Sequence, residues 1–263
     1  MMKWVRRILI TLILLYLGVL AAAFFAQRNF IYFPPNNYHA PPANMAEIKT
    51  PSGMTGWYSA AHDGRPTVMV FHGNASYMDT NLYIFRDLQA AGYGVWAVGY
   101  SGYPGNAGPA AQANIVAGAA EQYELLKARG VTNIIYYGTS LGSGVAAQLA
   151  LRHEPEILIL DAPFNSMSDM ARYRMPILPT GILLKDTWRS DKVLKELDIP
   201  LIWFHGTKDR VIPISQGQKL YDGYNGPKTA LVIPGSNHFN TWHNGGREVV
   251  LSALKNCNPT ACL

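Results

Sequence analysis

The chain has 263 residues, 49% of them hydrophobic and 15% charged, an ordinary globular composition with room for one α/β domain and a short appendage. The net charge of +5 is lopsided: Lys3, Arg6, Arg7 and Arg28 stand in the first 30 residues with no acid, and beyond them bases and acids nearly cancel, which gives no support to a nucleic-acid partner. Only two cysteines occur, Cys257 and Cys262 at the carboxyl end; nothing near them completes a metal site, and they suit a small disulfide loop or free thiols equally.

The first element is an uncharged run from Ile8 to Ala26, which as a helix would span about 28 Å, close to the thickness of a bilayer core. Lys3, Arg6 and Arg7 precede it and only Arg28 follows closely. The positive-inside rule then places the amino terminus in the cytoplasm and the remainder on the extracytoplasmic (periplasmic or lumenal) side. A signal peptide cleaved near Ala21-Ala22-Ala23 and a buried core helix are the competing readings. An uncleaved anchor is favoured, because the run is longer than a usual signal core and Phe30-Ile31-Tyr32-Phe33 puts aromatics where a membrane interface would lie. We assign residues 1–27 to this anchor and 28–45, rich in proline and asparagine, to a juxtamembrane linker. Residues 46–255 are expected to form the main folded domain and 256–263 a tail.

Within the domain, Met54 to Ala61 is expected as a strand, and Thr67 to Phe71 as a short, wholly apolar strand of the kind buried in a parallel sheet. A helix over residues 79–91 follows, then a strand at Gly94–Val98 running into the aromatic loop Gly99-Tyr100-Ser101-Gly102-Tyr103-Pro104-Gly105. Gln112 to Arg129 is an alanine-rich helix stopped by Gly130. The stretch that organises the chain comes next. Ile134 to Tyr137 reads as a strand, Val145 to Leu151 as a helix, and Gly138-Thr139-Ser140-Leu141-Gly142 joins them. A serine at so sharp a strand-to-helix turn needs neighbours without bulk, and the helix's free N–H groups then point at it.

Glu156 to Asp161 is a further strand. Residues 162–190, with prolines, methionines and no clean period, read as a cap insertion over the sheet's carboxyl edge. Pro200 to Phe204 and Thr229 to Ile233 are the last strands, with a helix around Lys219-Leu220-Tyr221 between them and a final helix from about Arg247 to Leu254. Strands alternating with helices predict an α/β fold: a mostly parallel central sheet flanked by helices, with a short cap insertion and the N-terminal transmembrane helix. Such sheets carry their working residues at the carboxyl ends of strands. His72-Gly73-Asn74, Ser140, Asp209 and His238 all stand at such ends.

A serine hydroxyl needs a base to take its proton and a third group to hold that base. His238 is the candidate base and Asp209 its orienter, and the chain order Ser, Asp, His is that of hydrolases built on a strand–serine–helix elbow. His243 is the rival base and Asp161 the rival acid. The backbone N–H groups of Asn74 and Leu141 are the candidate oxyanion donors. His72 is expected to order its loop; His62, His153 and His205 read as structural or solvated; Tyr100 and Tyr103 suit either a pocket wall or packing. Activity should fall as acid protonates His238.

Phe71-His72-Gly73-Asn74-Ala75, the Gly99 to Gly105 loop, Gly138-Thr139-Ser140-Leu141-Gly142 and His205-Gly206-Thr207-Lys208-Asp209-Arg210-Val211-Ile212-Pro213, together with His238, resemble the α/β-hydrolase superfamily. The resemblance runs over roughly Arg28 to Leu254. It is nearest to the membrane-anchored α/β-hydrolase-domain branch, which includes lysophospholipid lipases and protein depalmitoylases. It implies a Ser140–Asp209–His238 triad and an acyl-enzyme mechanism without cofactor or metal. The chain departs from many relatives in having Ser101 where they carry arginine in the aromatic loop. The expected function is a membrane-anchored serine hydrolase of carboxylic esters or thioesters of acyl, lipid-like substrates. Its partners are that substrate and membrane lipid around the N-terminal helix. The alternatives are a peptidase or amidase on the same triad and a binding protein that kept the fold without turnover.

Overall fold

The computed structural model describes residues 2–256. Cys257 and Cys262, and with them the choice between a disulfide loop and free thiols, lie outside the described residues. In chain order the elements are α1 (Met2–Ile31), β1 (Ala46–Lys49), β2 (Thr55–Ser59), β3 (Thr67–Phe71), α2 (Leu82–Ala90), β4 (Gly94–Val98), α3 (Gln112–Ala128), β5 (Ile134–Thr139), α4 (Leu141–Ala150) and β6 (Leu158–Asp161). The cap holds α5 (Met167–Arg174) and α6 (Thr180–Leu183), with α7 (Ser190–Val193) at its end; β7 (Leu201–Gly206), α8 (Ile214–Asp222), β8 (Lys228–Ile233) and α9 (Arg247–Asn256) complete the domain.

The strands form one eight-stranded sheet in the order β1-β2-β4-β3-β5-β6-β7-β8. The pairs β1–β2 and β2–β4 are antiparallel and the others parallel. The parallel part follows from the apolar runs: β3 and β4 are buried at every position, which requires helices on both faces. On one face Met69, Phe71, Trp96, Tyr136 and Leu158 pack with α3 and α4. On the other, Val68, Val70, Ile135 and Ile159 pack with Ile84, Phe85 and Leu88 of α2 and Val250 and Leu254 of α9. β1 has no counterpart in the sequence reading. Its four residues, Ala46-Glu47-Ile48-Lys49, show no apolar run, and it is a strand because β2 offers it an edge.

Residues 162–190 fold into short helices, with Ser166 capping α5 by accepting from the N–H of Asp169. Helix α1 is long and apolar enough to cross a membrane, by length and composition. It is also fastened to the cap. The Gln27 side chain donates to the Leu183 carbonyl (3.1 Å) and accepts from the Lys185 N–H (2.6 Å). Asp186, nearly buried, accepts from Arg28 Nε and from the Tyr32 hydroxyl, both at 3.0 Å. Trp188 Nε1 donates to the same Tyr32 oxygen at 3.1 Å.

Candidate active site

Ser140 closes β5 and opens α4 with φ 55° and ψ −118°, a conformation that costs a non-glycine residue about 1–3 kcal/mol. Packing enforces it. A Cβ on Gly142 would lie 2.0 Å from the Phe71 carbonyl oxygen, and one on Gly138 would lie 2.4 Å from the Gly142 carbonyl oxygen. Only glycine therefore lets β5, α4 and the end of β3 come together. The Ser140 N–H donates to the Asp161 carbonyl (3.0 Å), tying the turn to β6. Among the described residues the Ser140 hydroxyl makes no hydrogen bond.

Asp209 and His238 follow β7 and β8 and are brought into contact: His238 Nδ1 lies 2.6 Å from Asp209 Oδ2. The carboxylate fixes the proton on Nδ1, which leaves Nε2 as an acceptor. The other carboxylate oxygen, Oδ1, accepts from the N–H groups of Val211 and Ile212 at 2.8 Å each. Burial would raise the Asp209 pKa. The hydrogen bonds from His205 and His238, the His238 charge and the Ile212 N–H outweigh burial and hold it far below the usual carboxylate range.

His205 is the site residue that sequence reasoning undervalued. It is fully buried, not solvated, and its Nε2 donates to the Ile212 carbonyl (2.9 Å) while lying 3.2 Å from Asp209 Oδ2. The available signal was its place at a strand end, four residues before Asp209. The rivals are engaged elsewhere. Asp161 accepts from the hydroxyls of Tyr137 (3.0 Å) and Thr139 (3.3 Å), and His243 packs against Tyr83 with the rings tilted by 36°.

Asn74 and Leu141 line the same cavity as the serine. Among the described residues neither N–H has a carbonyl partner in a turn or loop, and Ala75 takes a positive φ of 50°. The Asn74 side chain is spent on position: Oδ1 accepts from Phe33 N–H (2.9 Å) and Tyr103 hydroxyl (2.7 Å), and Nδ2 donates to the Ile31 carbonyl (2.5 Å). His72 stacks on Tyr100 at 3.9 Å, and the Tyr100 hydroxyl donates to the His72 carbonyl (2.9 Å). Tyr100 and Tyr103 thus order the loop from beneath. Burial pushes the His72 imidazole down to about 4, so it stays neutral through the physiological range. The Ser101 hydroxyl bonds the carbonyls of Ala107 and Pro109 and folds its own loop.

Ser140, Leu141 and Asn74 open onto a cavity of about 600 Å³ with an apolar wall. The cap supplies Phe164, Met167, Met170, Leu178 and Leu184. The opposite wall is α1, through Val19, Ala22, Ala23, Ala26 and Phe30. These positions share one helix face at spacings of three and four. The sequence marked α1 only as a span, because its apolar residues run around the whole helix.

Residues 66–182 match the alpha/beta hydrolase fold family. An uncharacterized protein of Mycobacterium tuberculosis is 30% identical over 90% of this chain and 89% of its own length. Human protein ABHD12B is 33% identical over 63% of this chain and 52% of its own length, and rat lysophosphatidylserine lipase ABHD12 is 29% identical over 63% and 47%. Among solved structures, a Pyrococcus furiosus esterase superposes with a TM-score of 0.67 at 17% identity, covering 85% of this chain and 96% of its own. A near-full-length relative and a parallel sheet with its strained serine elbow lead to one assignment: the chain belongs to the α/β-hydrolase fold family.

Proposed function

We propose that the protein is a membrane-anchored serine hydrolase that cleaves carboxylic or thioesters of acyl lipids. The observation that carries this reading is a strained serine opening onto an apolar cavity, with a buried imidazole–carboxylate pair beyond the carboxyl ends of two other parallel strands of the same sheet. His238 Nε2 takes the Ser140 hydroxyl proton as Oγ attacks the carbonyl carbon, and Asp209 stabilises the imidazolium. The N–H groups of Asn74 and Leu141 receive the oxyanion, each worth roughly 3 kcal/mol in the transition state. Imidazolium returns the proton to the departing alcohol or thiol. Water, deprotonated by the same imidazole, then releases the acid from the acyl-enzyme. No cofactor or metal enters the scheme. The rat relative is by name a lysophosphatidylserine lipase, which agrees with an acyl-lipid substrate.

We further propose that α1 persists as the anchor, with the catalytic domain extracytoplasmic. Cleavage after Ala23 would remove Val19, Ala22 and Ala23 from the cavity wall, which argues against a transient signal peptide. The test is a fluorophosphonate probe followed by a panel of lysophospholipids and p-nitrophenyl esters. Labelling of wild type but not Ser140→Ala, with ester turnover, is expected. Equal labelling of both proteins, or no turnover across the panel, overturns the reading.

A further inference from the structure

The cap segment from Met175 to Leu184, Met-Pro-Ile-Leu-Pro-Thr-Gly-Ile-Leu-Leu, has no charge and is apolar on both sides. Met175, Leu178, Leu183 and Leu184 face the cavity. Ile177 and Ile182 face outward and are 82% and 88% exposed. A surface loop in water does not gain from two bare isoleucines around a proline turn.

Most of its backbone N–H groups are paired, as hydrocarbon favours; those of Ile177 and Gly181 have no hydrogen-bond partner among the described residues. Pro176 and Pro179 have no N–H to satisfy. The N–H groups of Leu178, Thr180, Ile182, Leu183 and Leu184 donate to carbonyls within the segment, and that of Met175 donates to Ala171. The Ile177 carbonyl accepts from the Tyr16 hydroxyl (2.9 Å), and the Leu183 carbonyl from Gln27.

These last two bonds also measure depth. The segment is held at Gln27 at one end and at Tyr16 at the other, so it descends along α1 by eleven residues, roughly 16 Å of helix. Tyr16 lies in the middle of the uncharged run Ile8–Ala26. Basic residues bracket the segment. Arg172 and Arg174 precede it, and Lys185 follows, its ammonium 4.0 Å from the centre of the Phe24 ring. That is the order of charges that meets phosphate headgroups at an interface while the chain between them enters the acyl layer.

We propose that residues 175–184 insert into the hydrocarbon of the leaflet on the catalytic domain's side, as a second membrane element beside α1. The cavity between the two then receives the acyl chain of a leaflet lipid sideways, and the ester reaches Ser140 without the chain crossing water. This rests on the reading of α1 as an anchor and of the cavity as the acyl site.

Depth-dependent quenching tests insertion independently of catalysis. The full chain, with Cys257 and Cys262 changed to serine, is placed in phosphatidylcholine–phosphatidylglycerol vesicles and labelled with an environment-sensitive fluorophore at one of three sites. Ile182→Cys probes the cap, Leu14→Cys the centre of α1, and Lys195→Cys an exposed position outside the cap. Lipids brominated along the acyl chain should quench the label at 182 as they quench the label at 14, and leave that at 195 unaffected. A label at 182 that behaves like the one at 195, with 14 quenched, overturns insertion.

The kinetic arm uses the Ile177→Asp/Ile182→Asp double variant. Turnover of a lysophospholipid presented in vesicles should fall about tenfold or more, while that of soluble p-nitrophenyl butyrate stays within about twofold of wild type. Equal loss on both substrates overturns lateral entry. If wild type cleaves neither ester, the hydrolase reading falls, and quenching still decides insertion.

Discussion

Two carboxylates at strand ends, Asp161 closing β6 and Asp209 following β7, have opposite electrostatics, and each makes a prediction. Asp209 spends both oxygens on N–H donors, which is what holds its pKa far below normal. A depressed carboxylate stabilises the fold above its unfolded-state value of about 4 and loses that contribution as pH falls toward its folded value. Asp209→Asn keeps the shape but presents an amide where the imidazole N–H needs an anion. Its kcat should fall roughly 10⁴-fold with little change in KM. Steady-state kinetics on a soluble p-nitrophenyl ester measure this, and a variant within tenfold of wild type would contradict the role. Asp161 is the converse case. Burial raises it from 3.8 to about 6, the hydroxyls of Thr241 and Tyr137 and the imidazoles of His238 and His205 offsetting only part. A raised carboxylate stabilises only at low pH, and that contribution disappears as pH rises through about 6. The Asp161→Asn variant should therefore gain about 2–3 kcal/mol relative to wild type between pH 4 and pH 7, whatever its offset at pH 4. Unfolding of both proteins in detergent across that range gives the difference directly.

At the scale of elements, the informative contact is α1 against the cap. The Asp186 side chain is only 5% exposed and receives Arg28, which is 43% exposed, together with Tyr32. Arg28→Ala leaves a buried carboxylate with one neutral donor. The expected cost is roughly 1–3 kcal/mol, read as a lower Tm in detergent and as earlier proteolysis within residues 162–190. Arg28→Lys should recover only part of it, since an ammonium cannot follow the guanidinium's Nε geometry. The elbow shows the other way elements constrain one another. Gly138 and Gly142 are required because the carbonyls of Phe71 and Gly142 occupy the space their side chains would fill.

For the whole molecule, α1, cap and sheet together make one apolar cavity, and substrate preference follows from its size. Each methylene moved from water into it is worth about 0.8 kcal/mol, or about fourfold in kcat/KM. Across a homologous series of soluble esters kcat/KM should climb by about that factor per carbon until the 600 Å³ is filled, then level off. A flat series would separate the cavity from acyl binding.

The sequence by itself determined the parallel strands, because β3 to β7 carry unbroken apolar runs whose burial on two faces is a local statement. It determined the elbow for the same reason, since the glycines flanking Ser140 and the strand and helix around them lie within some fifteen residues. It also marked Asp209 and His238, through their places at strand ends. The tertiary structure alone decided what depends on distant partners. The Asp209 carboxylate is shared with His205 as well as His238, and Asn74 is aimed by Phe33 and Tyr103. The cap became short helices held by α1 through Gln27, Arg28 and Tyr32, some 155 residues away along the chain. Periodicity reports which face of an element avoids water, and it cannot report which other element covers that face. For that reason α1 was legible as a helix long and apolar enough to cross a membrane and illegible as a wall of the cavity.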